Sequence, residues 1–538
     1  MHAIRHGRPV AVALLLATTL VVYLSAAALV AAAPASAGPP ACPSAGPPGS
    51  ADELLALLAV QQAQLTASDG AASDYFGAVA ISGDTAVVGA NADDVGGNAD
   101  QGSAYVFVRS GTTWSQQAQL TASDGAAGDR FGYSVAVSGD TAVVGAFDDN
   151  VGVNAHQGSA YVYLRTGTTW SEQAHLTAAD GAAGDDFGIS AALVGETAVV
   201  GADTDDVGGH ANQGSAYVYL RTGTTWSEQA HLTADDGTDG DMFGNSVALS
   251  GETAVVSALF DDVGATADQG SAYVFVRGGT TWSQQAHLTA DDGGAGDRFG
   301  CSVALSDGTA LVGAYYVDVG GNADQGSAYV FVRSGTTWSQ QAQLTADDGA
   351  AVDYFGFSVA LSGETAVVGA HADTVGGNTN QGSAYVFARG GTTWSQQAHL
   401  TADDGAAGDQ FGQSVALSGD TATVGAPFDR VGTTVSQGSA CVFTGVLAKP
   451  GKPTAKSPRG LISSRTPTFK WTAASGAASY EVRVYRGSRL IRKKTGITKL
   501  SWKCTKRLPR GVRLTWRVRG WNTAGAGPWS NRPWFKVW

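Results

Sequence analysis

A unit of about 56 residues repeated seven times is the feature that most restricts what this chain can fold into. Phe-Gly recurs at Phe76, Phe131, Phe187, Phe243, Phe299, Phe355 and Phe411, and Gln-Gly-Ser-Ala recurs from Gln101 to Gln437. No helical periodicity runs through the unit. Seven copies at this length predict the blades of a β-propeller.

Four strand signals fill one unit. In the second copy they are 134–138 (SVAVS), 141–146 (TAVVGA), 160–165 (AYVYLR) and 170–178 (WSEQAHLTA). Each is short, rich in β-formers or alternating residues, and bounded by Gly, Asp, Ser or Thr. Six copies place Gly-Asp or Gly-Glu between the first two strands, as at Gly139-Asp140, which suits a type II′ hairpin. The remaining copy reads Asp307-Gly308, which suits type I′. The copies are out of phase with the chain. Fourth-strand sequence appears first, at Gln61–Ala67, and the last copy stops after its third strand near Thr444. Val60–Ala67 is therefore expected to pair with Ala440–Phe443 and close the ring.

The Phe-Gly start, the Gly-Ala end of the second strand and the strand after it resemble FG-GAP repeats. The seventh copy has both Phe411-Gly412 and Gly425-Ala426-Pro427. The resemblance covers residues 61–444 and implies the propeller of integrin α subunits and many exported bacterial proteins. It says less about function. Several integrin-type repeats carry a D-x-D-x-D-G calcium loop between the first two strands, where this chain has a two-residue turn. That metal site is not carried over, and no cofactor is expected. The acids lie instead between blades, as in 124–129 (DGAAGD), where they read as a solvated turn, with calcium as the alternative.

The ends of the chain differ from the repeats. Arg5 and Arg8, an uncharged run from Val10 to Ala33 and Ala35-Ser36-Ala37 read as an export signal over 1–37. A retained N-terminal membrane anchor is the alternative. Residues 38–58 read as a linker, 59–448 as the propeller, 449–465 as a second linker and 466–538 as a small β-sandwich. The fold class expected is all-β, a seven-bladed β-propeller followed by that sandwich. Strand signals fall at 468–471, 480–485, 490–494, 500–504, 514–521 and 534–537. The sandwich resembles a fibronectin type III domain through Trp471, the run 516–522 (WRVRGWN) and 527–530 (GPWS), with Trp516 where tyrosine is usual. Cys42, Cys301, Cys441 and Cys504 are far apart, in no metal-ligand spacing and no disulfide framework.

Charge divides the chain more sharply than its net of −14 suggests. Residues 59–448 carry 9 basic and 44 acidic residues. From Lys449 onward there are 22 Lys plus Arg and one acid, Glu481. The basic end is a solubilising surface, a partner for an anionic polymer or a partner for the acidic propeller. Specific nucleic-acid recognition is not expected.

No phosphate loop, H-E-x-x-H, G-x-S-x-G or Cys/His cluster occurs. His175, His231, His287 and His399 repeat at one fourth-strand position and read as exposed strand residues. No Arg-Gly-Asp or N-x-Ser/Thr supports integrin-type recognition or N-glycosylation.

Candidate binding residues come from comparing the copies with one another. The hairpin end of each blade is nearly constant. The opposite end varies before Phe-Gly, after Phe-Gly and after Gly-Ala. There stand Tyr75, Arg130, Tyr133, Phe147, Asp186, Asp203, Asn245, Arg298, Tyr315, Tyr354, Phe357, His371 and Gln410. Aromatics beside Arg and Asp suit recognition. The reading is a secreted binding or scaffold protein whose partner is an extracellular protein or polysaccharide. A lectin and a propeller-fold polysaccharide hydrolase or lyase are the alternatives.

Overall fold

The structure is a computed structural model that describes residues 59–446, 452–474, 477, 479–522 and 525–538. The expected export segment, the 38–58 linker and Cys42 lie outside the described residues.

Seven four-stranded antiparallel sheets form the blades. In blade 3 the strands are Ser190–Val194, Thr197–Ala202, Ser215–Thr222 and Thr225–Leu232, paired in chain order. The second strand, Thr-Ala-Val-Val-Gly-Ala in most copies, is buried along its whole length, which explains its unbroken small and apolar sequence. The fourth strand is half exposed and alternates accordingly. Seven Phe-Gly phenylalanines are fully buried, each against the aromatics of its blade's third strand, as Phe131 against Tyr161 and Tyr163.

The last blade joins the two ends of the repeat. Val60–Leu65 pairs antiparallel with Ser439–Thr444, in the register Gln61↔Phe443 and Leu65↔Ala440. Bonds between first and last blades complete the ring: Gly83 N–H donates to Ser418 Oγ at 3.0 Å and Phe76 N–H to the Gln437 carbonyl at 3.0 Å.

The signature glycines pack blade on blade. Gly188 has φ +101°, and a Cβ there would collide with the Ser159 carbonyl of the preceding blade. A Cβ on Gly145, in the preceding blade's Gly-Ala, would collide with the Gly188 carbonyl. Phe-Gly and Gly-Ala are thus two halves of one close backbone approach.

The first hairpins turn on a residue of positive φ, such as Gly139 at +60°. The type I′ expectation for the fifth copy does not hold. Asp307 takes φ +52°, but Gly308 stays out of the left-handed region that a type I′ turn requires at both positions. The shared strand register fixes one turn geometry, and Asp tolerates the position that Gly fills elsewhere.

The C-terminal region is a small sandwich. Ala455–Ser457, Thr468–Trp471 and Ser501–Lys503 form one sheet. Gly460–Ile462, Trp534–Val537, Arg513–Asn522, Ser479–Arg486 and Arg489–Ile497 follow one another across the second. Phe469 and Trp471 from the first sheet pack with Val482, Val484, Trp516, Val518 and Phe535 from the second. The linker expected at 449–465 is corrected over its second half: 455–457 and 460–462 are sheet strands. They were missed because they are three residues each and carry Lys, Ser and Gly. Cys301, Cys441 and Cys504 are free thiols. Among the described residues, no helix is long and apolar enough to cross a membrane.

Candidate functional site

The variable end of the blades is built from the second-to-third connections and the links into each Phe-Gly. Residues just before Phe-Gly share an unusual backbone. Tyr75, Arg130, Asp186, Met242, Arg298, Tyr354 and Gln410 have φ between 53° and 60°. Bulky side chains rarely adopt this conformation, at a cost of about 1–2 kcal/mol each. Hydrogen bonds to the preceding blade hold it: Arg130 N–H donates to the Asp100 carbonyl and Phe131 N–H to the Gln101 carbonyl, at 3.3 and 2.9 Å. Nothing in the residue types announces this geometry.

One part of the face gathers into a continuous patch across blades 4 to 6. Arg298 Cζ lies 4.5 Å from the Phe260 ring centre and 5.0 Å from that of Tyr316. Tyr316 meets Tyr315 at 4.2 Å and Tyr354 at 5.4 Å. Tyr315 meets Phe357 at 5.3 Å, and Phe357 meets His371 at 4.2 Å. All seven side chains are half-buried: held by neighbours, yet open to solvent. Burial lowers the His371 imidazole to about 4, so it is neutral at physiological pH. Phe260 and Tyr316 were missed. They stand second after Gly-Ala or Ser-Ala, where the copies read Ala92, Asp148, Thr204, Phe260, Tyr316, Ala372 and Phe428. The same copy-to-copy variation that marked their neighbours was there to be read.

The other candidates disperse. Tyr133 packs at a tilt against Phe147 at 4.5 Å, and Tyr75 against Phe428 at 5.2 Å. Arg130 is tied to Asp100 at 3.1 Å. Tyr133 and Asn245, with Ile189, Ser190 and Cys301, line a cavity of about 230 Å³ at the starts of the first strands of several blades. Asp203 is buried, where it accepts a hydrogen bond from Asn245 Nδ2 at 2.9 Å, so it is a buttress and does not belong to an exposed surface. Burial raises the Asp203 carboxyl and pushes Asp186 up to about 6. Gln410 is half-buried outside the aromatic patch.

The acids between blades are caps and buttresses. Asp74, Asp129, Asp185, Asp241, Asp297, Asp353 and Asp409 are all raised by burial, Asp185 and Asp353 to about 6. Each accepts the backbone N–H three residues earlier, as Asp185 from Ala182. Beside them, in blade 3, the Tyr217 hydroxyl sits 3.0 Å from Asp180 and 3.1 Å from Asp205. His231 stacks on Tyr217 at 4.5 Å and faces the same two carboxylates at 3.5 and 3.6 Å. The arrangement recurs at His175, His287 and His399, so these exposed strand histidines are also staples between carboxylates. In blade 3 the carboxylates of Asp180, Asp185 and Asp205 meet hydroxyl, imidazole and N–H partners, whereas Asp129 Oδ1 is buried without a hydrogen-bond partner. Among the described residues no group of three or more His, Cys, Asp or Glu is arranged to hold a metal ion.

Fold and face together define a seven-bladed repeat propeller with one asymmetric aromatic–arginine patch on its variable end. The FG-GAP repeat model matches residues 59–107, 114–163, 170–219, 226–275, 282–331, 338–387 and 394–443, more than half of the chain. The chain belongs to the FG-GAP repeat family. Among solved structures, the Pseudomonas aeruginosa periplasmic gluconolactonase PpgL is similar over 61% of this chain and 86% of its own. Its identity is 14% and its TM-score 0.41. Comparison with curated proteins finds no match.

Proposed function

We propose that this chain is an exported binding protein that recognises an extracellular protein or polysaccharide through the variable face of its propeller. The observation that carries the reading is the patch formed by Phe260, Arg298, Tyr315, Tyr316, Tyr354, Phe357 and His371. Aromatic rings and Arg give the largest contact energy per side chain at recognition surfaces, and rings held by neighbours lose little entropy on binding. The patch occupies blades 4 to 6 only. That favours one asymmetric site over a lectin with equivalent sites around the ring. We propose also that the sandwich is fibronectin type III-like, on its three-strand and larger sheets and its buried Trp471.

The test is capture of cell-wall polymers and extracellular proteins by the purified chain, by an Arg298→Ala/Tyr316→Ala/Tyr354→Ala variant and by a Thr168→Ala/Thr169→Ala variant at the constant hairpin end. Capture lost only by the triple variant supports the reading. Capture lost only by the Thr168/Thr169 variant places the ligand on the wrong face and overturns it.

A further inference from the structure

On the outward face of the larger sheet of the sandwich, arginines and aromatic rings interleave. Along Arg513–Asn522, Leu514, Trp516 and Val518 point into the core and are fully buried. Strand alternation sends Arg513, Arg517 and Arg519 to the other side. The neighbouring strand places Glu481, Arg483 and Tyr485 beside them, in the register Glu481↔Arg519 and Arg483↔Arg517. Trp529 then lies over the sheet. Its ring centre is 4.2 Å from Arg517 Cζ, 4.4 Å from Arg519 and 4.9 Å from Arg483. Arg519 also lies 4.8 Å from Trp521. Arg517 and Arg532 approach Tyr485 at 5.3 and 4.4 Å, and Arg513 approaches Trp534 at 4.8 Å. Guanidinium and ring alternate in a ladder.

This ladder is short of anions. Glu481 is the single acid from Lys449 to the C-terminus, and it is fully buried beneath the arginines. Arg483, Arg519 and Lys493 share it, at 2.7, 2.8 and 3.4 Å, and Trp521 Nε1 donates to it at 3.2 Å. Among the described residues Arg517 bonds only the Tyr485 hydroxyl, at 3.0 and 3.2 Å, and Arg532 only Thr515 and the Gly487 carbonyl, at 3.0 and 3.1 Å. Among the described residues neither these two nor Arg513 has an ion-pair partner. Rings on their flat faces hold the guanidinium planes in place and leave N–H edges for oxyanions. Such preorganisation lowers the ordering cost of binding.

We infer that this face binds an anionic polysaccharide, whose carboxylate or sulfate groups are taken by the edges of Arg513, Arg517 and Arg532. The ladder selects against the main competitor. Single-stranded nucleic acid is held by stacking bases on open aromatic faces. Here the faces of Trp529 and Tyr485 are already covered by guanidinium groups.

The experiment measures binding of the full chain to heparin (sulfate and carboxylate), polygalacturonate (carboxylate alone), neutral dextran, polyphosphate and oligothymidylate across a salt series. Heparin or polygalacturonate should bind, more weakly as salt rises, and which of the two is preferred identifies the anion. Dextran should not bind. Arg513→Gln/Arg517→Gln leaves the Glu481 cluster intact and should weaken glycan binding at least about tenfold. Lys470→Gln/Lys503→Gln, which removes the same charge from the other sheet, should change it less than about twofold. Arg517→Lys keeps the charge and loses the planar fork, and should still weaken binding severalfold. Three results would overturn the proposal: no glycan binding by the unaltered chain, equal losses in the two double variants, or tighter binding of oligothymidylate or polyphosphate than of either glycan.

Discussion

Replacing Leu65 with Ala asks whether the ring is closed by its N-terminal strand. Leu65 is 3% exposed and packs with Phe76, Val79, Val88, Tyr105 and Val442, which come from both the first and the last blade. Leu232, the same position in blade 3, is also 3% exposed, in a cluster with Val218, Phe243 and Val247. Buried Leu→Ala changes cost about 2–5 kcal/mol through lost transfer energy and the cavity left behind. With equal burial and equivalent neighbours, Leu65→Ala and Leu232→Ala should cost about 3 kcal/mol each and agree within about 1 kcal/mol. Two further contacts argue against a frayed end: Trp114 Nε1 donates to Gln62 on one side, and Gln64 Nε2 donates to Asp404 and Asp429 on the other. Urea unfolding followed by tryptophan fluorescence gives both values, with an unchanged slope as the check that the same surface is exposed. A Leu65→Ala cost below about 1 kcal/mol beside a full cost for Leu232→Ala would refute closure, because a frayed strand contributes little.

Two glycines of positive φ separate backbone strain from collision. Gly195, at +59° with open space around its Cβ position, should cost about 1 kcal/mol as Ala, whereas Gly188, at +101° against the Ser159 carbonyl, should cost about 3 kcal/mol or more in thermal melts. Burial raises Asp353 from 3.8 to about 6, so the folded state holds its proton better than the unfolded state does. Its contribution is fully present below about pH 4 and lost as pH rises through 6. Asp353→Asn keeps an acceptor for Ala350 N–H and should be more stable than the unaltered chain at pH 8, on the order of 2 kcal/mol, with the gap closing below pH 4. A gap that does not change with pH would contradict the assignment.

Much of the fold was legible because repetition multiplies weak signals. One Thr-Ala-Val-Val-Gly-Ala is an ambiguous apolar run, but four copies of it and three close variants, in phase between turn residues, are second strands. Ring closure was legible from the phase of Gln61–Ala67 alone. Where a feature occurs once, the sequence misled: Asp307-Gly308 obeys the register of its neighbours over its own turn preference, and 455–462 pairs through long-range contacts that no local pattern carries. The candidate face was legible as an end of the blades. Its division was not. Asp203 turned inward because Asn245 of the next blade satisfies it. Arg298 became the centre of a patch because Phe260 and Tyr316, from two different blades, reach it. Such partnerships across blades depend on spacing in the ring rather than on neighbours in the chain.

Hydrogen–deuterium exchange of the chain with its captured ligand tests the central claim most directly. Protection should concentrate in the segments bearing Phe260, Arg298, Tyr315, Tyr316, Tyr354 and His371, with the constant hairpins at Gly139, Gly195 and Gly251 unchanged. Protection confined to those hairpins, or spread evenly over all seven blades, would contradict a single recognition patch on the variable face.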